Sequence, residues 1–282
     1  MKIKSIFVFL TAFICIGLIS CDKGKDTATT GAVSMDTSTK IVIPGTGSSL
    51  DLLRVVANRF MAINAGETVE IPPSTGSAGG IKAVMENTAN VARVSRTLKD
   101  NEKASGLAYE VFASTPIVFA SHPDIKIKNL KTSDIIKIYS GQIKNWKQLG
   151  GKDQAIVLIG REESDSSRQV IEKQIKEYKT IAFPKEMTVV TKDQEMINTV
   201  KVKPGAIGFG TFANMKSERL NIFNLDGNVP GKEKYPLMGE YAFVYYKDKL
   251  SPLSKKFLDF VFSDEGKKII ESEFCIVIPR QK

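Results

Sequence analysis

The sequence predicts an α/β fold, and three observations carry that expectation. From Ile41 to Phe274, short apolar runs alternate with segments whose apolar residues recur at helical spacing. Glycine- and serine-rich turns separate them, as in successive strand–turn–helix units. The composition, 42 % hydrophobic and 25 % charged, is that of a globular chain and excludes wholesale disorder or a polytopic membrane protein. At 282 residues there is room for one large domain or two smaller ones.

Residues 41–43 form the first expected strand. Gly45-Thr46-Gly47-Ser48-Ser49 then turns the chain into a helix whose face is Leu50, Leu53, Val56 and Phe60. Ser48 is its expected N-cap, with Asp51 at N3 near the positive end of the dipole. Residues 68–71 are the next strand, ended by Pro72-Pro73. Residues 74–80 lead into a helix through Ile81, Val84 and Met85, and residues 90–94 are a third strand.

The same grammar continues. A strong strand covers 115–121 and a short helix 132–138, before the Ser140-Gly141 turn. The buried-type strand 155–159 delivers Arg161 and the serine-rich run 164–167, and a helix follows with Val170, Ile171, Gln174, Ile175 and Tyr178 on its face. Residues 187–191 are a strand and 193–200 a helix. Residues 204–209 turn into a short strand, and 241–246 form another. An amphipathic helix covers 253–261, and a last one starts at Ser263 and ends near Phe274. No solenoid repeat is present.

The first twenty residues are a targeting segment. Lys2 and Lys4 precede a nearly unbroken apolar run, 6–19, too short for a comfortable membrane span. The run ends in Leu18-Ile19-Ser20-Cys21, which resembles a bacterial lipoprotein signal, with Ile19 departing from the usual small residue. On that reading Cys21 takes a lipid and becomes the mature N-terminus. An ordinary secretory peptide and an uncleaved anchor are the rival readings. Residues 22–40, rich in Thr, Ser, Ala and Gly, are an expected flexible tether. The protein is therefore expected outside the cytoplasmic membrane, joined to a bilayer through Cys21, where nucleic acid and ATP-driven chemistry are not expected.

Function classes narrow further. The 40 Lys plus Arg against 31 Asp plus Glu give a net charge of +9, which fits either a solvated basic surface or an anionic partner. One histidine, His122, excludes a multi-histidine metal site. No G-x-x-x-x-G-K-[ST], C-x-x-C, H-E-x-x-H or G-x-S-x-G run occurs, so neither a metal, a cofactor nor an enzymatic activity is expected. Trp146 and His122 read as packing and strand-end residues, and Cys275, between Phe274 and Ile276, as a buried thiol.

Three serine-rich turns, 45–49, 76–80 and 164–167, each precede a helix. A helix start presents unpaired N–H groups and the positive end of its dipole, which favours an anion. The third turn arrives with Arg161, whose planar fork suits an oxyanion; a surface pair with Glu162 or Glu163 is the alternative.

The stretches GTGSSL at Gly45, STGSAGGIKAV at Ser74, VSRTL at Val94, IYSGQIKNWKQLGG at Ile138, IGREESDSSRQVIE at Ile159, KPGAIGFG at Lys203 and FLDFVFSDEGKKII at Phe257 occur in that order. With them the chain resembles the periplasmic phosphate-binding proteins of phosphate-importing ABC transporters. The resemblance implies a two-lobe periplasmic-binding-protein fold of the Venus-flytrap, type II-like kind, with two crossing hinge strands. It implies lobe 1 over 41–114 plus 240–282 and lobe 2 over 115–239. It also implies closure on inorganic phosphate, delivery to permease subunits, no catalysis and a monomer. Carried over by motif, the phosphate-binding set is Ser48, Ser49, Leu50 through its N–H, Ser77, Ala78, Ser95, Arg161, Asp165, Ser166 and Ser167. Two departures stand out. Some relatives carry aspartate where Ser95 stands, and the family's GSGT appears here as Ser164-Asp165-Ser166-Ser167. Asp165 is then either the acceptor of a phosphate proton, selecting against sulfate, or a cap for its own helix. Another oxyanion, an adhesion or sensing lipoprotein, and a serine phosphatase are the competing functions.

Overall fold

The computed structural model describes residues 36–232 and 234–280. Cys21 and the signal segment lie outside these residues. The first half-lobe runs β1 (Lys40–Val42), α1 (Leu50–Ile63), β2 (Thr68–Glu70), α2 (Gly76–Met85), β3 (Val91–Val94) and α3 (Asp100–Ala104). The long strand β4 (Ala108–Ser121) follows. Then come β5 (Asn129–Leu130), α4 (Thr132–Tyr139), β6 (Val157–Arg161), α5 (Ser166–Gln174), β7 (Thr188–Val190), α6 (Asp193–Val202), β8 (Ala206–Thr211), α7 (Phe212–Ser217), β9 (Asn221–Ile222) and β10 (Asn224–Leu225). β11 (Met238–Tyr245) returns, and α8 (Pro252–Val261), α9 (Asp264–Ser272) and β12 (Ile276–Val277) complete the chain.

β4 and β11 connect the halves. They pair antiparallel from Met238↔Pro116 to Tyr245↔Ala108, with a register shift between Tyr241 and Ala242. β3 flanks β11, and the far half of β4 pairs with β8 through Ile117↔Thr211 to Ser121↔Ile207. β6 then lies parallel to both β8 and β7. The apolar core divides at this connection. One cluster takes Ile117 through Ala120 from β4 and everything inward to Leu237. The others take Phe112 and Ala113 from β4 and Tyr241 through Tyr245 from β11, on opposite faces of one sheet. No buried member of a cluster falls at 114–116 or 238–240, where only Met238 packs, partly buried, against the first cluster, so the strands cross where apolar packing is thin.

Several elements differ from their expected bounds. β4 starts at Ala108 rather than 115, because 108–114 pair along β11 from Tyr245↔Ala108 to Glu240↔Ser114; beyond Pro116, Ile117 N–H donates to Leu237 O at 2.8 Å. Ser49, not Ser48, is the N-cap of α1, and Ser48 Oγ donates to Asp193 instead, at 3.4 Å. α2 begins at Gly76, inside the glycine run. Gly80 serves close approach there: a Cβ on it would meet Gly45 Cα at 2.8 Å and Pro44 O at 3.0 Å. Trp146 is fully buried, stacked on Phe223, with Nε1 donating to Gly205 O at 3.0 Å. Cys275 is a buried free thiol.

Candidate anion-binding site

The lobe 1 half of the site is built on Arg93. Its guanidinium donates to Thr46 O at 2.8 Å, to Pro72 O at 2.7 Å and to Ile43 O. These carbonyls belong to the chain after β1 and after β2, so one side chain ties together both serine-rich loops. Backbone bonds reinforce it, with Arg93 N on Pro44 O at 2.9 Å and Thr46 N on Arg93 O at 3.0 Å. Gly45 permits this approach at φ +139°; a Cβ would stand 1.9 Å from Arg93 O. Burial pulls the Arg93 pKa down to about 10, with Arg54 adding to the effect. Tyr241 Oη donates to Ser48 O at 2.6 Å and fixes the loop from the hinge side. Ser77 Oγ accepts from Ser95 N at 3.2 Å, linking the start of α2 to the end of β3.

The lobe 2 half is built on β6 and α5. β6 pairs with β8 through Val157 and Leu158 and with β7 through Ile159 to Arg161, so Arg161 at its end is held beside Val190 of β7. Its guanidinium lies 2.7 Å from Asp165 Oδ2 and 3.3 Å from Asp193 Oδ1, and NH2 also donates to Thr191 O at 3.3 Å. Glu162 and Glu163 are not its partners, so the surface-pair alternative is overturned. Asp165 caps α5: its Oδ1 accepts from Arg168 N at 2.8 Å. Burial pushes its carboxyl up to about 6; Arg161 pulls it down and Asp193 pushes it up.

The halves meet through hydroxyls. Thr46 Oγ1 and Ser95 Oγ are 2.8 Å apart, and Ser95 Oγ and Ser166 Oγ 2.6 Å. This chain and the Ser48–Asp193 bond cross from one lobe to the other. Around them lies a cleft of about 100 Å³, lined by Thr46, Ser77, Ala78, Arg161, Asp165 and Asp193 among others. Ser49 Oγ, Ser167 Oγ and Arg161 Nε are buried without a protein hydrogen-bond partner, as are Gln194 Nε2 and Asn214 Nδ2. Each such atom costs roughly 1–3 kcal/mol when left unpaired, and those of Arg161 and the two serines are donors suited to an acceptor-rich ligand.

Ser77, Ala78, Arg161, Asp165 and Ser166 line this cleft, and Ser48, Ser95 and Ser167 line a second space that shares Ser166 with it. Ser49 is fully buried and lines neither space. Leu50 departs from its expected role, since its N–H donates to Gly47 O at 3.1 Å and its side chain packs in the lobe 1 core. Arg96, next to Ser95, turns away and pairs with Glu102 at 2.7 Å. Sequence reasoning missed Thr46, Asp193 and the hinge groups Thr115, Thr211 and Tyr241. Asp193 reads in sequence as an ordinary acidic first residue of a helix, and nothing local marks it.

Comparison with known proteins agrees with this architecture. The model of the PBP superfamily domain matches residues 29–265. The phosphate-binding protein PstS of Bacillus subtilis is 30 % identical over 247 residues, covering 84 % of this chain and 79 % of that protein. PstS of Borreliella burgdorferi is 30 % identical over 256 residues, covering 85 % and 90 %. Among solved structures, a Clostridium perfringens protein described as a phosphate ABC transporter substrate-binding protein, with bound phosphate, superposes with a TM-score of 0.76. It is 27 % identical and covers 85 % of this chain and 99 % of that one. With two lobes on crossing strands and a hydroxyl-rich arginine site between them, the chain belongs to the PBP superfamily and, within it, to the PstS phosphate-binding proteins.

Proposed function

We propose that this protein binds inorganic phosphate between its two lobes, outside the cytoplasmic membrane, and delivers it to an ABC-type phosphate importer. The observation that carries the reading is Arg161, buried at the cleft with Nε unpartnered, while the hydroxyls of Ser49 and Ser167, at the starts of α1 and α5, are buried and unpartnered too. An oxyanion is the ligand whose acceptors suit such donors. The helix starts at Gly76 and Ser166 add backbone N–H groups and favourable dipoles. The function is binding, not catalysis.

In this reading Ser49, Ser77, Ala78, Arg161, Ser166 and Ser167 hold the anion, while Ser48 and Ser95 close the lobes over it. Asp165 accepts the proton of hydrogen phosphate and so disfavours sulfate, which has none to give near neutral pH. The lobes are 41–114 with 240–282 and 115–239, and they close as a hinge about residues 114–116 and 238–240. Closure expels water and strengthens every charged contact to the anion. The protein acts as a monomer, anchored by lipid on Cys21, and mass spectrometry of the membrane-extracted protein tests the anchor by the added acyl mass.

Equilibrium dialysis with radiolabelled phosphate tests the function. The wild type is expected to bind one phosphate per chain, unaffected by excess sulfate. Arg161→Met is expected to lose at least a hundredfold in affinity, since charge-assisted bonds contribute roughly 1.5–3 kcal/mol each. Equal retention by both proteins would contradict the reading.

A further inference from the structure

The hydroxyl chain and the Ser48–Asp193 bond are not the only contacts between the lobes. Another is built on an aromatic residue in an unusual place, the end of α9. There Phe274 N–H donates to Glu271 O at 3.1 Å and Cys275 N–H to Ile270 O at 3.2 Å, the pattern that closes many helices. Ile270 and Cys275 both lie in the lobe 1 core. The pattern needs one left-handed residue, which glycine supplies without steric cost. Here that residue is Phe274, at φ +59°. It is 45 % exposed and belongs to none of the apolar clusters. The helix end therefore accounts for the backbone of Phe274 but not for its ring.

The ring's partners lie on the other lobe. Phe212, the first residue of α7, meets it edge to face, with centroids 5.9 Å apart and planes at 74°. Phe212 packs against the lobe 2 core, so it moves with that lobe. Lys216, one turn further along α7, sets its ammonium 3.5 Å from the centre of the Phe274 ring and 5.3 Å from that of Phe212. Lys216 makes no ion pair among the described residues. Glu218, two residues on, pairs with Lys201 instead, at 2.6 Å. Two side chains of α7 thus interlock with one from the end of α9.

We propose that Phe274 and Lys216 form a clasp across the lobe boundary, which makes them positioning residues for closure on the anion. The inference rests on the phosphate reading for its ligand and on the contact between the lobes for its geometry. Opening the lobes separates ring from ring and ring from ammonium, and returns each to water. An aromatic pair and an exposed cation–π contact together correspond to roughly a tenfold change in the open-to-closed ratio. For the fold of lobe 1 alone glycine would serve better. Phenylalanine strains the turn there and finds its ring contacts only across the boundary.

Phe274→Gly separates the two roles. Stopped-flow dissociation of phosphate from the purified protein is expected to be about tenfold faster in Phe274→Gly than in the wild type. Lys216→Met keeps the aliphatic stem and is expected to be several-fold faster. Phe274→Tyr and Lys216→Arg are expected to keep the wild-type rate. Because the two residues act as a unit, adding Lys216→Met to Phe274→Gly is expected to change the rate little further. The thermal midpoint of ligand-free Phe274→Gly is expected to stay level or rise, since glycine relieves the left-handed turn. Unchanged dissociation in Phe274→Gly would overturn the clasp and leave the phosphate reading standing, and a lower midpoint beside it would assign Phe274 to the fold of lobe 1. Small-angle scattering of the ligand-free proteins adds a readout that needs no phosphate, with a larger radius of gyration expected for Phe274→Gly. If the wild type binds no phosphate, the phosphate reading falls and scattering decides the clasp, which an equal radius would overturn.

Discussion

Arg93→Met sets two opposing energies against each other. Arg93 is fully buried and donates to three backbone oxygens, those of Ile43, Thr46 and Pro72. Methionine fills much of the same space and donates nothing. Three acceptors then lose their partner, those of Ile43 and Thr46 buried and that of Pro72 part-buried, at up to about 1–3 kcal/mol each, or roughly 3–9 kcal/mol together at most. Against this stands the desolvation of the guanidinium, whose pKa burial pulls from its ordinary value down to about 10, a cost of roughly 3 kcal/mol that the substitution removes. The expected net loss is centred near 3 kcal/mol, a large share of a typical domain's stability. Urea unfolding followed by circular dichroism reads it as a lower midpoint at unchanged slope. Phosphate affinity is expected to fall too, because both lobe 1 loops hang on this residue, and Arg93→Lys to recover part of each loss. A midpoint that stays in place or rises would refute the reasoning, because the loops would then hold without Arg93.

Three further outcomes follow from the same geometry. Ser95→Ala cuts the Thr46–Ser95–Ser166 hydroxyl chain between the lobes, and one net hydrogen bond of about 1 kcal/mol corresponds to a roughly fivefold rise in the open-to-closed ratio without phosphate. Small-angle scattering measures this, and an unchanged radius of gyration would count against the bridge. Asp165 has a folded-state pKa of about 6 against 3.8 for the ordinary group, so the fold favours its protonated form. Its ionisation therefore costs stability above pH 6, and that cost disappears as pH falls through 6 toward 3.8. Asp165→Asn is expected to flatten the stability profile across that window, as thermal melts at stepped pH would register; an unaltered profile would refute the assignment. Cys275, its thiol pushed up to about 12 by burial, is expected to resist a thiol reagent at pH 8 until the protein unfolds, and rapid native labelling would contradict its placement.

Much of the α/β order was legible because helical and strand periodicities alternate cleanly from β1 to α9, with turn residues between them. Arg161 and the serine-rich run after it were legible for the same reason: a buried-type strand must deliver whatever follows it to one end of the sheet. The remainder depended on tertiary partners. The strand β4 was read short by residues 108–114, which are held as strand by pairing with β11, a partner far away in the sequence. The glycines at 79 and 80 read as turn formers but lie within α2; Gly80 lets the helix lie against Pro44 and Gly45. Asp165 could be read as a cap or as a ligand-facing acid. The structure shows the cap, with one oxygen on Arg168 N, and sets the other oxygen against Arg161. Asp193 could not be singled out, since an acidic residue opening a helix is common and only the fold sets it beside Arg161.

A crystal structure of the protein saturated with phosphate tests the central claim most directly. One tetrahedral anion is expected between the lobes, within hydrogen-bond distance of Arg161 Nε, Ser49 Oγ and Ser167 Oγ, with a carboxylate oxygen of Asp165 close enough to share its proton. An anion bound elsewhere, or none at saturating phosphate, would contradict the account.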